Sequence, residues 1–151
     1  IIGGSPSFRL KELQDKISTH NISKNRYFFT GNLPPKEVGK YLSISDIFII
    51  PQITNQEFFS PIKIFEAFGS GLPIIATPIP AFESILKHKE NSIIADSISV
   101  ESLAKAIFSL SQDEDLALQI HKNIVNNRSK YSWNNRAQKC LDFITETVSQ
   151  E

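Results

Sequence analysis

The sequence predicts an α/β fold, an open parallel sheet with helices on both faces, and three observations carry that prediction. Short continuous apolar runs alternate with stretches of helical spacing, glycine and proline punctuate the joints, and the connections are long enough for right-handed crossovers. The clearest unit runs from Asp46-Ile47-Phe48-Ile49-Ile50-Pro51 through a helix to Leu72-Pro73-Ile74-Ile75-Ala76-Thr77. Both flanking runs have the unbroken hydrophobicity of strands buried on both faces.

The elements follow in chain order. Phe8 to Ser18 reads as a helix with Leu10, Leu13 and Ile17 on one side, and Tyr27 to Gly31 as a short strand. Pro35 to Leu42 reads as a capped helix presenting Val38 and Leu42 together. After the strand at 46–51, a helix is expected from Pro61 to Phe68. Ser60 suits its N-cap, Pro61 its first position, and Gly69 and Gly71 a left-handed exit. Beyond the strand at 72–77, Ala81 to Leu86 reads as a short helix and Asn91 to Ala95 as a last strand. Ser99 to Leu110 follows, with Val100, Leu103, Ile107 and Leu110 at core spacing. Helices at Asp113 to Asn127 and Trp133 to Val148 close the chain. With no internal repeat or low-complexity tract, residues 1–151 read as one domain.

Composition narrows the function classes. Lys plus Arg and Asp plus Glu both number 16, so no global charge holds nucleic acid or a membrane. The phenylalanines sit in apolar runs rather than among Arg and Lys, which favours core over base stacking. A single cysteine, Cys140, excludes an internal disulfide and favours a reduced cytoplasmic setting; its neighbours suggest helix packing. No run reaches the roughly 18 apolar residues of a spanning helix, and no secretory signal is visible, which leaves peripheral membrane contact open. His20, His88 and His121 are scattered in polar surroundings without ligand spacing, so we expect surface histidines and no protein-bound metal.

The chemistry concentrates in Ser60-Pro61-Ile62-Lys63-Ile64-Phe65-Glu66. A helix beginning just past the carboxyl end of a parallel strand presents free amides and a positive dipole end to anions. Lys63 in that first turn opposes the macrodipole by roughly 0.3–1 kcal/mol, a mismatch that an arriving anion repairs. Glu66 stands at i+3 from Lys63. The pair is either an ordinary surface ion pair on a polar stripe with Ser70, or a half-buried ligand site.

The run from Ser60 to Thr77 resembles the donor-binding motif of the retaining GT-B glycosyltransferases of family 4, with its serine-proline-x-lysine-x-x-glutamate helix, small-residue turn and following strand. Four further segments match in order: Ile1-Ile2-Gly3-Gly4-Ser5-Pro6, Phe28-Phe29-Thr30-Gly31-Asn32-Leu33, Tyr41 to Pro51, and Tyr131-Ser132-Trp133-Asn134. The resemblance implies the Rossmann-like C-terminal half of a GT-B fold, truncated at its N-terminal edge, with the acceptor domain absent. The start within a strand and the lack of methionine agree with an excised piece, expected to turn over little donor alone.

By that resemblance, Glu66 binds the ribose hydroxyls of a nucleotide-diphosphate sugar, one carboxylate oxygen for each hydroxyl. Ser60, Pro61 and Ile62 bring the helix start to the diphosphate, Lys63 is a catalytic charge partner, and Gly31 and Leu33 lie where relatives hold the base. Two-glutamate members of the family carry a carboxylate eight residues before the second glutamate, where this chain has Phe58. Glu57, one residue earlier, is the candidate replacement. Thr77 to Glu83 also departs, with Ile79 and Pro80 where many relatives have glycines; Glu83 reads as a helix-capping carboxylate.

The function expected is transfer of a sugar from a nucleotide-diphosphate sugar to a saccharide or lipid-linked acceptor, in bacterial surface polysaccharide synthesis, with no tightly bound cofactor. The chain would act in the cytoplasm or peripherally at the inner face of the membrane. The alternatives are a nucleotide-sugar epimerase of the same fold and a non-catalytic regulatory or interaction module. A receiver domain lacks its acidic strand ends here.

Overall fold

The computed structural model describes residues 7–53 and 62–148. The segments expected at Ile1–Pro6 and the candidates Glu57, Ser60 and Pro61 lie outside them. The chain divides into two units, residues 1–44 and 45–151.

The first unit holds α1 (Ser7–Thr19), a 3-10 turn (Lys24–Arg26) and α2 (Pro35–Ser43). Asn21 ends α1 in the left-handed region at φ 53°, where the Ile22 amide reaches back to the Ile17 carbonyl and the Asn21 amide to Ser18. This is the exit that glycine usually makes, taken by the side chain next most tolerant of it. Pro34 precedes α2 without a side-chain cap, so the capped start expected there is supplied only by proline's preset backbone angle. Leu42 is buried and Val38 half-buried on the same side of α2.

The strand expected at Tyr27–Gly31 is not formed as such. Among the described residues Gly31 makes a single bridge and 27–30 form no ladder. Ring contacts organise the segment instead, Tyr27 edge-on to Phe29 at 5.8 Å and Phe28 against Tyr41 of α2 at 5.7 Å.

The second unit carries the sheet. Strands β1 (Phe48–Ile50), β2 (Ile74–Ala76) and β3 (Ser92–Ile94) run parallel in that order, with Phe48 opposite Ile74 and Ile75 opposite Ile93. Side chains alternate between faces along a strand, yet Ile74, Ile75 and Ala76 are all fully buried, so both faces of β2 are covered. The helices are α3 (Ile62–Ser70), α4 (Val100–Gln112), α5 (Glu114–Asn127) and α6 (Trp133–Val148), with a 3-10 turn (Arg128–Tyr131) before the last. The core gathers Ile64, Ala67 and Phe68 of α3, Ala106 and Leu110 of α4, Ile120 and Ile124 of α5, and Phe82.

Side-chain caps start two helices: Ser99 Oγ accepts from the Ser102 amide and Asp113 Oδ1 from the Leu116 amide. Other expectations are corrected. Residues 81–86 form a 3-10 turn (Pro80–Phe82) and further turns, because the Asn91 side chain takes the Lys87 amide and the Ile85 carbonyl before a helix can extend. Glu83 therefore ends a turn rather than heading a helix. Val100 is exposed, since the buried side of α4 is set by Ala106 and Leu110. Cys140 is exposed too, because no residue of α6 is buried.

The outer edge of β3 is shielded by its own preceding loop. His88 Nδ1 accepts the Ile94 amide at 3.0 Å, and the Lys89 amide bonds the Ser92 carbonyl at 2.7 Å.

Candidate functional site

Helix α3 begins beyond the carboxyl end of β1, with Ile64, Ala67 and Phe68 turned into the core. That leaves Ile62, Lys63 and Glu66 on the outward side. Lys63 Nζ donates to Glu66 Oε2 at 3.0 Å, with the lysine side chain 62% exposed and the glutamate 35%. The polar stripe expected from the spacing therefore forms, and Ser70 closes it by donating to the Glu66 carbonyl. An exposed i,i+3 pair contributes only a few tenths of a kcal/mol. Its chemical interest lies in a half-covered carboxylate beside a cation near a helix start.

Gly31 and Leu33 belong to the first unit. Gly31 sits at φ 67° with nothing among the described residues within 4 Å of an added Cβ, and its carbonyl accepts from Thr30 Oγ1; Leu33 is half-buried. The positive φ is one that glycine adopts without strain.

The structure adds three residues that the sequence reading missed. Thr77, buried at the end of β2, donates through Oγ1 to the Gln52 carbonyl and ties down the chain leaving β1. His121, expected as a plain surface residue, is exposed yet bonded through Nδ1 to the Gly71 carbonyl at 2.8 Å; the carbonyl can only accept, so Nδ1 carries the proton. Arg128 Nη1 donates to the Gly69 carbonyl at 2.9 Å. A threonine after a buried strand was the only sequence signal among these.

A recess of about 180 Å³ lies along β3 and α4, lined among others by His88, Asp96 and Lys105; Glu66 is not part of it. Among the described residues no group of three His, Cys, Asp or Glu is placed to hold a metal ion, and no helix is long and apolar enough to cross a membrane.

A parallel sheet flanked by helices, with a helix following beyond a strand's carboxyl end, defines a Rossmann-like module. Residues 1–127 match the glycosyl transferases group 1, and the chain belongs to that family. Its fold is that of the C-terminal domain of GT-B glycosyltransferases. It superposes on HepE of Anabaena in complex with UDP with a TM-score of 0.81 at 20% identity, covering 99% of this chain and 40% of that one. The C-terminal domain of the group 1 family protein LpcC from Francisella tularensis gives 0.70 at 24%, over 84% of this chain and 64% of that one. In sequence, the chain is 33% identical over 109 residues to the phosphatidyl-myo-inositol mannosyltransferase of Propionibacterium freudenreichii, 70% of this chain and 27% of that protein. It is 26% identical over 155 residues to the chitobiosyldiphosphodolichol beta-mannosyltransferase of Debaryomyces hansenii, 97% of this chain and 33% of that protein. The chain therefore spans about a third or less of these relatives' length.

Proposed function

We propose that residues 1–151 are the donor-nucleotide half of a retaining glycosyltransferase, which moves a sugar from a nucleotide-diphosphate sugar to a saccharide or lipid-linked acceptor. The observation that carries this reading is the outward Lys63–Glu66 pair on α3, set within the family's matched residues beyond the carboxyl end of β1. Glu66 accepts the two ribose hydroxyls. Lys63 and the helix start around Ile62 meet the diphosphate and stabilise charge on the leaving group. Ser60, Pro61, Gly31 and Leu33, with Glu57 as the candidate second carboxylate, are assigned to the donor site on the motif resemblance alone. Retention rests on the motif resemblance, since the relatives' names include both beta and alpha mannosyltransferases.

The donor is a substrate, and no resident cofactor is needed. The acceptor is held by a preceding domain of the longer protein, so this chain by itself turns over little donor. A cytoplasmic role in bacterial polysaccharide assembly, at or near the inner face of the membrane, fits this chemistry. An amylovoran biosynthesis glycosyltransferase of Erwinia amylovora is among the relatives, 28% identical over 56% of this chain and 21% of that protein.

Ligand-observed NMR with UDP, GDP and ADP tests the site. Saturable binding of one nucleotide, weakened roughly tenfold or more in Glu66→Ala, is the expected result and names the base. If none of the three binds, the donor-site reading gives way to an interaction module of the same fold.

A further inference from the structure

Helix α3 carries the candidate carboxylate, and its far end is unusually well accounted for. The Leu72 amide bonds the Ala67 carbonyl and the Gly71 amide the Phe68 carbonyl, a Schellman exit with Gly71 at φ 75°. That exit leaves the carbonyls of Gly69 and Gly71 pointing out of the helix end. Both are taken by side chains from one distant segment, Gly69 by Arg128 Nη1 at 2.9 Å and Gly71 by His121 Nδ1 at 2.8 Å. Tyr131, three residues beyond Arg128, lies against Phe65 at 5.5 Å and Phe68 at 5.3 Å between ring centroids. Phe65 is the residue before Glu66. The segment from α5 through the following 3-10 turn therefore grips α3 by two carbonyls and two rings, and the guanidinium complements the negative end of the helix dipole.

We propose that Arg128 and His121 are positioning residues for the nucleotide site: they fix the axial position and rotation of α3, and through it the direction of the Glu66 carboxylate. A carboxylate serving two adjacent hydroxyls depends steeply on its orientation, and a helix released at its last turn can shift or rotate by enough to lose one of them. Neither residue touches the ligand. The proposal rests on the donor-site reading of Glu66 given above.

The test is a double-mutant cycle on nucleotide affinity, using whichever of UDP, GDP or ADP binds the unsubstituted chain. Arg128→Ala and Glu66→Gln are made singly and together, with Arg128→Lys as the conservative rescue and thermal unfolding as the check on folding. Arg128→Ala is expected to weaken binding at least about fivefold in the parent chain and by less than about twofold in the Glu66→Gln background, within the range of coupling for residues acting through one another. Arg128→Lys should recover part of the loss, since one ammonium can still reach one carbonyl. A parallel cycle with His121→Ala should behave alike. If the unsubstituted chain binds and Arg128→Ala leaves affinity unchanged, or weakens it equally in both backgrounds, this proposal fails while the donor site stands. If the unsubstituted chain binds none of the three nucleotides, the donor-site reading fails and takes this proposal with it.

Discussion

Gly69 and Gly71 stand two positions apart and should answer the same substitution in opposite ways. Gly69 lies inside α3 with nothing within 4 Å of an added Cβ, so Gly69→Ala is expected to stabilise the fold by about 0.5–1 kcal/mol. Gly71 has φ 75°, and its added Cβ would come 3.0 Å from His121 Cε1 and 3.1 Å from Val125 Cγ2. Gly71→Ala is therefore expected to cost at least about 1–2 kcal/mol from the left-handed backbone alone. Urea midpoints at unchanged slope would check both. The sequence offered both glycines as the left-handed exit; spacing could not say which one turns, because that depends on where the last helical carbonyl falls. Lys63→Ala is expected to move stability by no more than about 0.5 kcal/mol, since an exposed pair is lost while an unfavourable cation leaves the helix start. Its effect should appear instead as a larger loss of affinity for the nucleoside diphosphate than for the monophosphate, measured by titration.

The elements were legible wherever a local signal decides them. The helices expected from Ser99 and from Asp113 form there, each capped by that side chain, and each change to Ala is expected to lower stability by about 0.5–2 kcal/mol in thermal or urea unfolding. Strand β2 is buried on both faces as its unbroken apolar run indicates, whereas β1, with an equally apolar run, buries only Ile50 and leaves Ile49 40% exposed, because a run of apolar residues does not record whether a helix covers each face. Two elements failed where tertiary partners overrule local pattern. Tyr27–Gly31 has strand composition, but its rings pack on one another and on α2 instead of a ladder forming. Ala81–Leu86 has helical spacing, but Asn91 captures its backbone. What those turns do supply is Phe82, one of the most deeply buried side chains, and Phe82→Ala is expected to cost about 3–5 kcal/mol on cavity grounds. Circular dichroism at 37 °C would show whether the unit still folds.

For the molecule as a whole, the architecture of the second unit and the Lys63–Glu66 pair were readable because each is local: crossovers, runs and an i,i+3 spacing. The supports of the site were not. His121 and Gly71 are 50 residues apart and Arg128 and Gly69 are 59, and no pattern along the chain records that a side chain will end at a particular carbonyl. Cys140 and Val100 failed for the converse reason, since helical spacing identifies an apolar face without saying that anything covers it.

The central claim is that Glu66 reads the ribose. The most direct measurement compares the binding nucleotide with its 2′-deoxy counterpart, in the unsubstituted chain and in Glu66→Ala. A charge-assisted hydrogen bond contributes about 1.5–3 kcal/mol, so removing the 2′-hydroxyl should weaken binding roughly tenfold or more in the unsubstituted chain. In Glu66→Ala the two nucleotides should bind alike. Equal affinity for both in the unsubstituted chain, or a preference for the ribose form that survives in Glu66→Ala, would contradict the account.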